Sequence, residues 1–465
     1  MDTIFNFTKN DFFQVCSKLP KYKALVFLIE QAIHSKELQH KQKLPPQRVL
    51  ADQLGITHGT VTRAYDLLEK KGLVEAKLGA GTYVNASASV FLDEKLVKEY
   101  DFASSMQPML GQQFLVKDAL NDLSDDLRSI EEVMNYFPKG IQKHKKIVAS
   151  WLATKKIETV ATDIAFTQGA QQGIYTCLNI LSQQGDYVLH EELAYPGFFR
   201  AAEANKLKTI EVPLTSEGLD LVSLEKYCQE FKPKLLYITP NIQNPTNIKY
   251  SNAQLDCIAK LSIKYQFYII EDDVNYCLPE NWSIPLQQKI PDRVFYLSSL
   301  SKYVAGGLRV AYALVPKAWQ QAFNLNIHSQ CWMVSTLSTE LATRFLLEKT
   351  FLYNQFQLEE EMRFRQQAFE DFLKKHALTA RRGGLNIWLT LPSYINAHQF
   401  NNFLALKKIK VRVADLFRSP KSSLPSVNCL RISLGGFNTR ADFNEGLDEF
   451  EKALMEFNDQ QDIVI

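Results

Sequence analysis

The chain has 465 residues, 46 % apolar and 22 % charged, which is too long for one ordinary core and too apolar for an unstructured chain. Its formal net charge of +2 singles out no partner, no uninterrupted apolar run is long enough to span a bilayer, and the opening MDTIFNFTKN lacks the basic-then-apolar layout of a secretory signal. The expectation is a cytoplasmic protein of two or more domains, with no membrane contact, whose seven singly scattered cysteines read as reduced thiols and not as a zinc site or a disulfide framework.

Positive charge is concentrated at the N-terminus, where residues 1–84 hold twelve Lys/Arg against eight Asp/Glu. Residues 22–36 repeat apolar positions at helical spacing, and Leu44-Pro-Pro-Gln-Arg48 turns into a second helix, Val49–Leu54, ended by Gly55. Thr57 is a good N-cap for a third helix running to about Lys71, with Gly72 as its stop. Two short helices around a glycine turn make a helix-turn-helix. Leu73–Lys77 and Leu78–Val84 then read as two short strands, a hairpin wing. In such a domain the third helix enters the major groove N-terminus first, so His58, Gly59, Thr60, Thr62 and Arg63 face bases or phosphates. Arg48, Lys77 and the Gly79–Thr82 wing, Gly81 included, face the phosphate backbone. The stretch LPPQRVLADQLGITHGTVTRAYDLLEKKGLVEAKLGAGTYV closely resembles the winged helix-turn-helix of the GntR regulators, which implies double-stranded operator DNA as a partner. His58 stands where that family usually has arginine, and a histidine reads bases less firmly than an arginine fork, so a different operator is expected.

Residues 85–100 begin with the small, polar Asn85-Ala-Ser-Ala-Ser and read as a linker; whether 90–100 adds a helix is open. From residue 140 onward helical patterns alternate with β-rich runs at 186–190, 209–214, 234–240, 267–273, 293–299 and 309–315. The span Tyr187 to Val315 therefore reads as an α/β domain with a mainly parallel sheet, whose ligands sit at the carboxyl ends of strands.

The unusual polar residues cluster at those ends. Thr167-Gln-Gly169-Ala170 leads into a helical pattern, which suits a phosphate at a helix N-terminus or is an ordinary helix start. Tyr195 in Glu191-Glu-Leu-Ala-Tyr-Pro-Gly is either a plate for an aromatic ring or part of a surface turn. Asn244 lies in an Asn-Pro loop after a strand, with an amide suited to a phenolate oxygen. Glu271-Asp272-Asp273 closes the apolar run FYII, where a carboxylate needs a partner such as a pyridinium nitrogen. In Ser299-Leu-Ser-Lys302-Tyr-Val-Ala-Gly-Gly-Leu-Arg309, one lysine has hydroxyls at −3 and −1 and an arginine at +7. That set suits pyridoxal 5'-phosphate, with its amine-reactive aldehyde and dianionic phosphate, although a lysine in a polar loop also serves as plain surface.

Taken in order, these five motifs resemble the fold type I aminotransferases across about residues 135–440. The resemblance implies pyridoxal 5'-phosphate held as an internal aldimine by Lys302, with Asp272 on the ring nitrogen, Asn244 at the ring hydroxyl and Tyr195 stacked on the ring. Ser299, Ser301, Arg309 and the Gly169 and Ala170 amides would hold the phosphate. Arg431, in NCLRISLGG, matches the arginine that binds the substrate carboxylate, and Tyr136, in YFPKG, matches a tyrosine that reaches the cofactor of the other subunit, implying a homodimer. Two positions depart from the pattern. Val274 stands where a tyrosine is common, with Tyr276 displaced by two, and Asn247 replaces the glycine of NPTG, where asparagine tolerates a left-handed backbone.

A GntR-type winged helix (1–84), a linker (85–100) and an aminotransferase-like domain (101–465) form the organisation of the MocR regulators. The function this implies is a DNA-binding transcriptional regulator that senses an amine, an amino acid or the cofactor itself. The alternatives are a catalytically active aminotransferase carrying a DNA-binding module, and a regulator that answers to the cofactor alone.

Overall fold

The computed structural model describes residues 9–16, 20–34, 38–39, 41–70, 73–77, 81–84, 98–422 and 424–462. The Gly72 helix stop, the Gly79 side of the wing turn and the linker stretch 85–97 lie outside these residues. The chain folds as two compact units, Met1–Lys98 and Glu99–Ile465.

In the first unit the helices are α1 (Lys9–Cys16), α2 (Lys21–His34), α3 (Gln47–Leu54) and α4 (His58–Lys70). Gly55 ends α3 in the left-handed region at φ 69, a conformation open to glycine without steric cost. Strands β1 (Val74–Lys77) and β2 (Gly81–Val84) pair antiparallel, Val74 opposite Val84 and Lys77 opposite Gly81. The apolar positions that set the helical periodicity close one core, with Leu25, Ile29, Leu50, Leu54, Val61 and Leu68 joined by Val74 and Val84 of the wing. Helix α1, whose Phe12 enters that core, is an element that the sequence pattern does not announce.

The second unit is built on a seven-stranded sheet: β3 (Ile164–Gln168), β4 (Tyr187–Glu191), β5 (Lys208–Val212), β6 (Leu235–Ile238), β7 (Tyr268–Asp272), β8 (Val294–Ser299) and β9 (Val310–Leu314), in the spatial order β3-β9-β8-β7-β6-β4-β5. Its strands are parallel except β9, which runs antiparallel to both neighbours. That reversal matters for the site. The amino end of β9 lies beside the carboxyl ends of β3 and β8, with Val310 opposite Gln168 and Ala311 opposite Ser299.

Three expectations need correcting. Strand β3 stands where the sequence suggests only a lead-in to a helix. Arg309 does not belong to the last strand; it stands just before β9, in a left-handed conformation at φ 54. A second sheet adds four antiparallel strands outside the expected set, in the order β10 (Thr379–Gly383), β11 (Asn386–Thr390), β13 (Cys429–Ser433), β12 (Arg412–Val413). It packs its own core, including Ile387, Leu389, Leu430 and Ile432.

Candidate functional site

The carboxyl edge of the large sheet opens into a cavity of about 390 Å³ lined by, among others, Ala170, Tyr195, Asn244, Asp272, Ser299, Ser301, Lys302, Arg309 and Arg431. They arrive from several different elements. Gly169 follows β3 and caps helix α5 (Ala170–Leu181) at φ 75, and a Cβ built on it would lie 2.1 Å from Nη2 of Arg309. Tyr195 caps helix α6 (Pro196–Ala204). Ser299, the last residue of β8, accepts from the Ser301 amide at 3.0 Å and donates to the Ser301 hydroxyl at 2.8 Å, fixing the single turn that carries Lys302.

The three consecutive acids at the end of β7 have different fates, because side chains alternate along a strand. Glu271 accepts from the amides of Leu286 and Gln287, at 2.8 and 2.9 Å. Asp273 accepts from the hydroxyl of Tyr296 at 2.6 Å and the side-chain amide of Asn241 at 3.2 Å. Asp272 alone lines the cavity. Its Oδ2 accepts from Tyr237 at 2.7 Å, while Oδ1 is buried without a partner. Burial dominates its titration and raises its pKa to about 7, against the lowering effect of the Tyr237 bond.

Lys302 donates from Nζ to the carbonyl of Ser105. Burial, then the charges of Arg431 and Arg309, lower its pKa to about 8. Arg431 is 8 % exposed on β13, where Nη1 donates to Oδ1 of Asn244 at 3.1 Å and Nη2 to the carbonyl of Ala103 at 2.9 Å. Its Nε has no partner, and its guanidinium lies 4.9 Å from the centre of the Phe417 ring. Tyr136 is not brought to this cavity; it is 77 % exposed, edge-on to Trp332 at 6.5 Å. Val274 does line the cavity, whereas Tyr276 turns into the core against Tyr303. Asn247 takes the left-handed backbone at φ 56, and its amide donates to the carbonyls of Arg381 and Asn386.

Sequence reasoning missed Tyr237, Arg412 and the segment Ala103–Met106, which also line or support this cavity. Tyr237 carried a usable signal, a tyrosine near the end of a strand neighbouring β7. The segment carried none, since its contribution is its backbone carbonyls.

On the small unit Arg48, His58, Gly59, Arg63, Lys77 and Gly81 are exposed or partly exposed, and Thr60 and Thr62 half-buried. The Thr62 hydroxyl turns inward, to Oε1 of Gln47 at 2.8 Å and to the His58 carbonyl at 3.1 Å. Lys77 lies over the Tyr83 ring at 5.6 Å. No helix among the described residues is long and apolar enough to cross a membrane, and no described cluster of His, Cys, Asp and Glu would hold a metal ion.

Comparison with known proteins agrees with this two-part layout. Residues 98–450 match the family model of aminotransferase class I and II, and residues 21–84 that of bacterial regulatory proteins, gntR family. The uncharacterized HTH-type transcriptional regulator YdeF of Bacillus subtilis is 28 % identical, over 92 % of this chain and 93 % of its own. Among solved structures, Pyrococcus horikoshii kynurenine aminotransferase in complex with PMP superposes with a TM-score of 0.69 at 20 % identity, over 78 % of this chain and 93 % of that one. LysN, the alpha-aminoadipate aminotransferase from Thermus thermophilus complexed with N-(5'-phosphopyridoxyl)-L-leucine, does so at 0.68 and 22 %, over 77 % and 92 %. The chain belongs to the aminotransferase class I and II family and carries a GntR-type winged helix ahead of it, the organisation of the MocR-type transcriptional regulators.

Proposed function

We propose that the winged helix binds operator DNA and that the large domain holds pyridoxal 5'-phosphate and reads an amine or amino acid against it, as a homodimer divided into residues 1–84, 85–100 and 101–465. The observation that carries this reading is the convergence on one cavity of Lys302, the Asp272 carboxylate and Arg431.

The residues fit the cofactor. The unpartnered Oδ1 of Asp272 suits a protonated ring nitrogen, which would offset the cost of a buried carboxylate. The missing side chain at Gly169 leaves Arg309 the room that a Cβ would take, at the N-terminus of a twelve-residue helix with the Ser299 and Ser301 hydroxyls nearby. Tyr195 and Asn244 would hold the ring. When bound, the cofactor supplies an aldehyde for amines and an electron-accepting ring.

The chain's own groups do the rest. Lys302, lowered to about 8, is partly the free amine near neutral pH and a competent nucleophile. The Asp272 carboxylate would keep a proton on the ring nitrogen by accepting its hydrogen bond at Oδ1. Arg431 orients a carboxylate, and its bond to Asn244 links that contact to the ring-hydroxyl side. Tyr136, exposed and away from its own cavity, is available to a second subunit. Uneven binding of the ligand to two states of the large domain would then alter the grip of the winged helices on two half-sites.

The test is fluorescence anisotropy of the full chain on its own upstream DNA, with cofactor, as amino acids are added. An amino acid that shifts DNA affinity, and no longer does so in Arg431→Ala, supports the reading. Multiple turnovers to a keto acid with no effect on DNA would favour the aminotransferase alternative. A response to cofactor that never depends on an amine would favour the regulator that answers to the cofactor alone.

A further inference from the structure

We infer that the ligand read at this site is an amino acid bearing a second carboxylate, and that Arg412 selects it; the inference rests on the amine-sensing reading above. Arg412 on β12 and Arg431 on β13 are directly opposed across their antiparallel pair, and both line the cavity. Like charges in that position repel one another unless an anion lies beside them. The two arginines differ in depth. Arg431 is buried, its two bonded nitrogens face neutral oxygens, and its Nε has no partner. Arg412 is exposed on the outer strand of the same sheet. Among the described residues no carboxylate pairs with either.

Charge matching points the same way. The charged side chains on the cavity wall are four cations, Lys302, Arg309, Arg412 and Arg431, against the single carboxylate of Asp272. In the reading above, the cofactor phosphate answers Arg309, its ring nitrogen answers Asp272, and Lys302 is the amine anchor. Two guanidiniums remain. A neutral amino acid brings one carboxylate, which Arg431 takes, and leaves the Arg412 fork without a bidentate partner of its own. A side-chain carboxylate supplies the missing anion, and a guanidinium fork matches it with two parallel hydrogen bonds. Burial is the main reason that Arg431 is lowered to about 10, and the charge of Arg412 adds a smaller push in the same direction.

The experiment titrates the cofactor-loaded full chain with L-glutamate against L-glutamine and L-aspartate against L-asparagine, following the visible spectrum and calorimetric heat. The acidic member of at least one pair is expected to bind about tenfold or more tightly, with the preference shrinking as salt is added. Arg412→Gln is expected to bring the ratio below about threefold, and Arg412→Lys, which keeps the charge without the fork, to leave an intermediate ratio. Equal affinities within both pairs, or a folded Arg412→Gln protein that keeps the wild-type ratio, would overturn the inference. The spectrum of wild-type protein with cofactor alone separates the two levels of the argument. If no visible band forms, the parent reading fails and this one with it; a band without acidic preference sinks only this one.

Discussion

Tyr237 donates its phenolic hydrogen to Oδ2 of Asp272 over 2.7 Å, and Oδ1 of the same carboxylate is buried with no partner. The first contact orients the carboxylate, and the second leaves its charge half-answered. Burial therefore outweighs the tyrosine, and the group sits at about 7 in place of the usual 3.8.

A raised carboxylate pKa has a definite sign in stability. The favourable protonated form is fully populated below about pH 4, and its contribution is lost as pH rises through 7. In cofactor-free protein, Asp272→Asn is expected to gain on wild type across that window, reaching about 4 kcal/mol by pH 8. With cofactor bound the order reverses, because asparagine cannot answer a ring N–H with charge. Thermal denaturation from pH 4 to 8, with and without cofactor, checks both; a wild-type-minus-variant difference that ignores pH would refute the assignment.

Lys302 gives a kinetic prediction. A lysine at its ordinary 10.5 is about 0.1 % free amine at pH 7.5, whereas one near 8 is about a quarter free. The visible band that follows mixing with pyridoxal phosphate should form faster as pH rises and level off above about 8–9, and Lys302→Ala should form none. Stopped-flow absorbance between pH 6.5 and 9.5 reads this directly. A rate still climbing steeply at the top of that range would mean that the amine is unperturbed.

Gly169 tests the phosphate cradle. At φ 75 and ψ 160, a region essentially confined to glycine, an alanine costs about 1–3 kcal/mol in backbone strain, and its Cβ would stand 2.1 Å from Nη2 of Arg309. Gly169→Ala is expected to weaken cofactor affinity at least about tenfold and to lower stability by that strain. Gly307→Ala is the control, since nothing lies within 4 Å of its added Cβ and its φ is not positive. Equilibrium dialysis of the cofactor and melting curves distinguish the two glycines; equal behaviour would remove the cradle from the argument.

How much of this was legible in the sequence depended on whether a residue's neighbours lie along the chain or across the fold. Gly55 and the β7 acids announce themselves locally, one by a left-handed stop and the others by charge at the end of an apolar run. The choice of Asp272 among three acids follows from strand alternation only once the sheet is assembled. Strand β3 was hidden because IAFTQ is short and runs straight into α5. Arg412 was hidden because it sits on a two-residue edge strand, and only its register opposite Arg431 gives it a role.

On the winged helix, geometry separates contacts of charge from contacts of shape. Arg48, Arg63 and Lys77 are cations on α3, on α4 and at the wing. Each that neutralises a phosphate releases counterions, so its replacement by alanine should flatten the plot of log affinity against log salt by about 0.9. Thr62 is different, since its hydroxyl is engaged with Gln47 and the His58 carbonyl and so ties α4 to α3. Thr62→Val should weaken operator binding without changing the salt slope. His58, exposed in the first turn of α4, should alter sequence preference when changed to arginine, because the fork reads guanine edges that a histidine reads less firmly. Anisotropy on operator and scrambled duplexes over a salt series resolves all three behaviours. Equal slopes for wild type and the three cation variants would place the DNA on another face of the unit.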